Sequence, residues 1–206
     1  MFAVIFEVKP KVERYEAYLA IAARLRPALL SSEGFVENIR FASRSRDGLL
    51  VSLSLWRDEK ALIRWRTHGG HHAAQCQGRA DILSDYRLRV GEVFAHSTSD
   101  IGDGHSRLDT TEVGEAKAVL LADGAGADGE ALTLAAMTNA VASDCDCFDA
   151  ITEEGRVLAL QGFKSEGAAA HAFQAKAGTT TSRHLAIRII RDYGMNERRE
   201  AVQWMA

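Results

Sequence analysis

The chain has 206 residues, of which 47% are hydrophobic and 26% charged, and carries a formal charge of −3. That length suits two small domains of about 100 residues each, and the mild acidity leaves no electrostatic footprint for nucleic acid or for an anionic membrane. No apolar run approaches the roughly 20 residues that span a bilayer, and the opening MFAVIFE reads as a strand rather than a secretory leader, so a cytoplasmic location is expected.

In chain order, residues 2–9 (FAVIFEVK) alternate as a half-buried strand does. A helix is expected from about Val12 to Leu30, where Tyr15, Tyr18, Leu19, Ala22, Leu25 and Leu29 recur at three- and four-residue intervals, with Gly34 ending it. Residues 35–44 and 48–56 form two strands about Arg46-Asp47-Gly48, an Asp-Gly hairpin signal. Asp58 is placed to cap a helix carrying Ala61, Leu62 and Trp65. Gly69-Gly70 then breaks the chain before a second helix from about His71 to Leu83, and residues 85–95 (DYRLRVGEVFA) close the unit as a strand. The order β-α-β-β-α-β is that of ferredoxin-like folds.

Residues 97–114 (STSDIGDGHSRLDTTEVG) are polar and without periodicity, as a linker is. The same order then restarts: a strand at 116–123, a turn at 124–129, an Ala-rich helix at 130–142, strands at 146–152 and 156–163 about Glu154-Gly155, a helix at 166–177 and a strand at 183–192. A short C-terminal helix is expected over 196–205, capped by Asn196. The two hairpins align, Gly48–Arg57 (GLLVSLSLWR) against Gly155–Lys164 (GRVLALQGFK). The chain therefore reads as a degenerate duplication, with domains at 1–96 and 115–206 joined by the linker 97–114. A lone unit leaves one sheet face uncovered, and two such sheets packed together share one core. The expected fold class is α+β: two ferredoxin-like domains packed sheet to sheet as a pseudo-dimer of the dimeric α/β-barrel type. Further pairing of chains through the outer surface stays open.

Three cysteines, Cys76, Cys145 and Cys147, make a poor disulfide framework, and C-x-C alone supplies only two metal ligands. Gly124–Gly129 has no basic partner for a phosphate, and no Ser-His-Asp or Cys-His arrangement can be read from spacing. Nucleotide cofactors are not supported.

Several segments together resemble the antibiotic biosynthesis monooxygenase (ABM) superfamily of dimeric α/β barrels. They are Glu33-Gly34-Phe35, Ser52–Glu59 (SLSLWRDE), Ala61–Arg66 (ALIRWR), His68 with His71–Gln75 (HHAAQ), Gly78-Arg79 and Asp85–Val90 (DYRLRV). The resemblance covers the first 95 residues and reaches the second half by element order, with an echo at Arg191–Met195 (RDYGM). It implies a cofactor-independent monooxygenase, without metal or flavin, acting with dioxygen on a small aromatic substrate of phenol or quinol type in an apolar barrel pocket. In such members the substrate's own electron-rich anion reacts with dioxygen, and the protein supplies a dry pocket, orientation and a group that favours the ionised phenol. Two alternatives stand beside it: a non-catalytic small-ligand-binding or stress-associated barrel, and a haem-binding or haem-degrading protein. Haem-degrading relatives carry an Asn in the first strand, a Trp after the hairpin and a His iron ligand. Trp65 matches the Trp, but Phe6 and Glu7 stand where the Asn would fall and Gln75 at the ligand position, with His71 or His72 as substitutes. The haem reading is disfavoured.

The resemblance points to Trp65 as the aromatic wall, although a core tryptophan has the same helical spacing. His68, His72 or Tyr86 would manage the proton; the histidines also suit capping or solvent-facing places, and no Asp, Glu or Cys stands at ligand spacing to make them a metal site. Asn38 or Arg87 would hold a substrate oxygen, and Glu7 and Asn38 sit on strands from which they could point into the barrel. Counting nine residues past Phe163, as Trp65 stands past Trp56, reaches Ala172. The repeat has lost the Trp, so the active pocket is expected in the N-terminal half, with the second half structural or completing the pocket wall.

Overall fold

Most of the described strands bury side chains on both faces, those at Ala118–Ala125, Arg156–Phe163 and Arg183–Gly194 almost throughout, which requires cover on either side of the sheet. The computed structural model describes residues 1–98, 108–128, 144–176 and 182–201. The first half contains β1 (Phe2–Pro10), α1 (Tyr15–Leu30), β2 (Phe35–Ser43), β3 (Leu50–Trp56), α2 (Glu59–Thr67), α3 (Gly69–Gln77) and β4 (Leu83–His96). The second contains β5 (Ala118–Ala125), β6 (Asp144–Ala150), β7 (Arg156–Phe163), α4 (Glu166–Lys176) and β8 (Arg183–Gly194).

The eight strands close into one barrel in the order β1-β3-β2-β6-β7-β5-β8-β4. Each half supplies four antiparallel strands in the ferredoxin-like order, β4-β1-β3-β2 and β8-β5-β7-β6. The halves meet by hydrogen-bonded edges as well as by shared core, so the described strands form a closed ring. One seam, β4–β8, runs from Arg87 opposite Gly194 to His96 opposite Leu185. The other, β2–β6, is short, from Phe41 opposite Ala150 to Ser43 opposite Phe148.

Alternation sends Ala3 and Ile5 of β1 inward with Ile39, Phe41, Val51, Leu53, Leu121, Phe148, Leu160, Ile187 and Ile189, which fill the barrel. Eight strands enclose just enough space for such side chains. The expected apolar pocket inside the barrel is therefore corrected: the lumen is solid core. The opposite parity, Phe2, Val4, Phe6 and Val8, faces the helices of the first half.

Charge seals both barrel ends. At one, Glu7 accepts from Arg89 (2.6 Å) and Arg46 (3.0 Å), and Arg87 pairs with Asp192 (2.7 Å) and Asp144 (3.2 Å). At the other, Asp123 pairs with Arg156 (2.6 Å) and Arg183 (2.7 Å), and Arg183 with Glu37 (2.7 Å).

The local expectations hold at most elements. The Asp58 carboxylate caps α2 by accepting from the Ala61 N–H (2.8 Å), and the hairpin glycines Gly48 and Gly155 take φ 72° and 75°. Some differ. The Gly69-Gly70 pair starts α3 instead of breaking the chain, because His68, with extended backbone, already separates α2 from α3. That helix gives way at Gly78–Ile82 to a single wider turn. Residues 196–201 form turns and not the expected helix, since the Glu200 carboxylate is drawn back to the backbone of Glu112, Val113 and Asp192. The expected helix at 130–142, residues 99–107 of the expected linker and residues 202–205 of that C-terminal helix lie outside the described residues.

Candidate functional site

The helix-facing layer of the first half holds buried polar atoms without a hydrogen-bond partner among the described residues. Register places Asn38 opposite Ser54 and Arg40 opposite Ser52, all four on the face turned away from Ile39, Phe41 and Leu53. The Asn38 amide donates to Ser52 Oγ (2.9 Å) and to the Leu53 carbonyl (3.0 Å). A carbonyl only accepts, so that contact fixes the amide orientation and leaves Oδ1 facing elsewhere. Oδ1 is buried without a partner, and so is Arg40 Nε. The Arg40 guanidinium lies beside the Tyr18 hydroxyl of α1. Among the described residues no carboxylate pairs with Arg40, whereas Arg44, Arg46, Arg57, Arg87, Arg89, Arg156 and Arg183 all have one. Burial pushes the Tyr18 phenol above its ordinary range, and Arg40 offsets part of that.

Around this polar pole the layer is aromatic and aliphatic. Phe6 and Tyr86 lie 5.8 Å apart and cluster with Tyr15, Tyr18, Ile21, Leu88 and, from the second half, Tyr193, Met195 and Ala201. The second half enters here because β8 outruns its own sheet along β4, setting Tyr193 opposite Leu88. Arg198, just beyond β8, donates to the Tyr86 hydroxyl.

A second cluster surrounds Trp65, which is 9% exposed. It stacks on Trp56 at 6.3 Å, and His68 and His71 lie nearly parallel to it at 5.5 and 4.6 Å. The His71 Nδ1 contacts the Trp65 carbonyl at 3.0 Å, so Nδ1 carries the proton and Nε2 is the accepting atom. Burial pushes the His71 pKa down to about 4, leaving the ring neutral at physiological pH. Trp65 and His68 line an open cleft of about 330 Å³ with Ala28, Ser32, Glu33 and Arg64.

The seven residues singled out in the sequence thus fall in different places. Asn38 lies in the helix-facing layer at the polar pole, and Tyr86 beside it in the aromatic part. Trp65 and His68 form the stack. His72 sits apart, its Nε2 3.6 Å from Cys76 Sγ one helical turn on. Glu7 and Arg87 point into the barrel end and are held there in ion pairs; burial opposes the Arg87 charge, but Asp192 more than restores it and raises its pKa. Glu7, Tyr86 and Arg87 also border a cleft of about 460 Å³ with Lys9, Arg46 and Asp85. Of the two residues expected to face the barrel interior, Glu7 does and Asn38 does not.

Sequence reasoning missed Arg40, Tyr18, Ser52 and Arg198, and named His71 only as a substitute iron ligand. Arg40 was within reach, since it stands two residues from Asn38 on a strand and must share its face. Arg198 had no signal, because its place depends on how β8 meets β4. Among the described residues no group of three or more His, Cys, Asp or Glu could hold a metal ion, and no helix is long and apolar enough to cross a membrane.

Comparison with known proteins gives the following. A family model described as antibiotic biosynthesis monooxygenase matches residues 1–77. The chain is 39% identical over 217 residues to the jasmonate monooxygenase ABM of Pyricularia oryzae, covering 99% of this chain and 98% of that one. It is 33% identical over 106 residues to the uncharacterized protein YqjZ of Bacillus subtilis, covering 48% of this chain and 89% of that one. Among solved structures, SnoaB, a cofactor-independent oxygenase from Streptomyces nogalater, matches at 16% identity and a TM-score of 0.41, over 46% of this chain and 93% of that one.

Proposed function

The chain belongs to the antibiotic biosynthesis monooxygenase family, and from that premise we propose that it is a monooxygenase whose site is the helix-facing layer of its first half, centred on Asn38 and Arg40. The observation that carries the reading is the pair of orphaned atoms, Asn38 Oδ1 and Arg40 Nε. A buried polar atom without a partner costs about 1–3 kcal/mol, and two of them side by side on one sheet face suit a ligand that satisfies both. One accepts and the other donates. The complementary group is an O–H, donating to Asn38 and accepting from Arg40, as a phenol or the enol of a ketone does.

Loss of that proton leaves an oxyanion held by the Arg40 guanidinium, which has no carboxylate partner among the described residues and whose attraction, in a layer of low polarity, must outweigh the repulsion of Asn38 Oδ1. The adjoining electron-rich carbon then meets dioxygen. Where it is a methylene, one oxygen atom stays as a carbonyl and the other leaves as water, which balances without an external reductant or cofactor. Trp65 closes the aromatic side, and His68, stacked on it, is the proton acceptor of the reading; His71, with its depressed pKa, is too weak a base for a phenol. Glu7, Arg87 and His72 drop out of the assignment. Small phenols and quinols remain the aromatic candidates, and the name of the Pyricularia relative adds jasmonate, a ketone-bearing acid that reaches the same O–H through its enol.

Oxygen uptake by wild type, Arg40→Met and Asn38→Ala across hydroquinones, an anthrone and jasmonate tests this. Saturable uptake that falls about 10²- to 10³-fold in Arg40→Met is expected, the loss typical of one oxyanion donor. Uptake at the spontaneous rate with every compound sinks the reading.

A further inference from the structure

The aromatic cluster has a second cationic end, built by the other half of the chain. Arg198 donates to the Tyr86 hydroxyl, as Arg40 sits beside that of Tyr18, and like Arg40 it has no carboxylate partner among the described residues. Both tyrosines belong to one cluster with Phe6, Tyr15 and Leu88, so an apolar body is bracketed by two guanidinium–phenol pairs. The two ends differ in what they ask of a ligand. Beside Arg40, Asn38 Oδ1 is an acceptor that repels a carboxylate and favours an O–H. At Arg198 the groups offered are the guanidinium N–H donors and the Tyr86 hydroxyl, whose own proton is free to donate because Arg198 can only give to its oxygen. A donor-only end suits an anion with several acceptor lone pairs.

Arg198 is also held in place. Glu200, two residues on, accepts from Thr111 Oγ1 (2.8 Å) and from the N–H groups of Glu112 (2.6 Å), Val113 (3.1 Å) and Asp192 (2.6 Å). Met195 N–H donates to the Tyr86 carbonyl (3.2 Å), and Ala201 is buried in the aromatic cluster. A turn so tied presents its arginine with little ordering left to do on binding.

We propose that Arg198, contributed by the second half, is the specificity residue that reads a substrate carboxylate, so that the site takes a small apolar-bodied acid with an enolisable ketone or phenol at its far end. This rests on the reading of Asn38 and Arg40 as the reacting end. Glu200 acts through Arg198 as a positioning residue.

The test is calorimetric binding, without turnover, of jasmonic acid and its methyl ester, and of a hydroxyphenyl alkanoic acid and its methyl ester, to wild type, Arg198→Met, Arg198→Lys and Glu200→Gln. Arg199→Met, an exposed neighbour paired with Glu197, is the control. Wild type should prefer at least one acid to its ester by about tenfold or more, the size of one charge-assisted contact. Arg198→Met should abolish that preference by weakening the acid alone, Arg198→Lys should keep part of it, and Glu200→Gln should reduce it with ester binding unchanged. Thermal melts confirm that each variant is folded. An acid preference that survives in Arg198→Met, or no preference for either acid in wild type, overturns the inference. The oxygen-uptake assay decides the oxygenase reading separately, because it is scored on Arg40 and Asn38 whichever acid or ester is used.

Discussion

Register lets the two halves be laid on one another residue by residue. Glu7 falls on Asp123, Arg87 on Arg183 and Glu37 on Asp144, so the ion networks that close the two ends of the barrel are the same device used twice. The helix-facing layers match in geometry and in little else. Asn38 corresponds to Cys145, Arg40 to Cys147, Ser52 to Ala159 and Leu88 to His184. The duplication has kept what closure demands and let the outer layer diverge. A barrel end must neutralise inward-pointing charge whichever half supplies it, whereas a helix-facing layer tolerates any packing that fills space, so one copy can be specialised while the other drifts. The first copy's layer still draws on the second, through Tyr193 and Arg198.

The comparison breaks most severely at closure. Arg89 is fully buried between Glu7 (2.6 Å) and Asp144 (3.4 Å), and Arg89→Met should cost about 3–5 kcal/mol, the usual penalty for orphaning a buried charge, read as a fall in the urea midpoint. Gly91 sharpens the same point by packing. A Cβ there would stand 2.4 Å from the Arg188 carbonyl oxygen across the β4–β8 seam, so Gly91→Ala should destabilise by about 1–3 kcal/mol or more, with thermal melting as the check.

Next in size is the divergence of the outer layers. Arg40→Met should remove most turnover, and Cys147→Ala, at the matching place of the second half, should leave it within about twofold; equal losses would mean that both layers are sites. A smaller effect comes from titration. The His71 pKa of about 4 lies below that of the unfolded chain, so the unfolded state takes up the proton first. The stability His71 confers is complete above about pH 6.5 and is lost as pH falls toward 4, at no more than about 1.4 kcal/mol per unit. His71→Asn should flatten that slope in pH-dependent unfolding, leaving the contribution of His184, whose pKa burial also lowers. The smallest effect belongs to the short seam. Arg44 and Asp149 join β2 to β6 at 2.6 Å but are largely solvated, and Arg44→Ala should cost less than about 1 kcal/mol by the same melt.

Much of the fold was legible because it is written locally. Alternation marked the strands, Asp58 marked the start of α2, and the shared hairpin glycines set Gly48–Arg57 against Gly155–Lys164 in the offset that the strand register bears out. The misreadings came where a tertiary contact overrode a local signal. Asn196 promised a helix, but the Glu200 side chain is captured by the backbone of β8 and of the segment before β5. Glu7 and Arg87 looked like free polar groups on strands; only the meeting of β1, β4, β6 and β8 with the turn between β2 and β3 engages them in pairs.

The sequence by itself determined the family, the α+β class and the duplication, since these rest on periodicity, turn chemistry and residue patterns along the chain. Which face of each strand becomes solid core and which turns to the helices was decided by closure of the barrel. Closure buries Ala3 and Ile5 of β1 within a core of sixteen side chains, turns Asn38 and Arg40 toward the helices, and brings Arg198 from the far end of the chain to Tyr86. A residue's parity is local, but what lies opposite it is set by strands that the sequence does not place next to it.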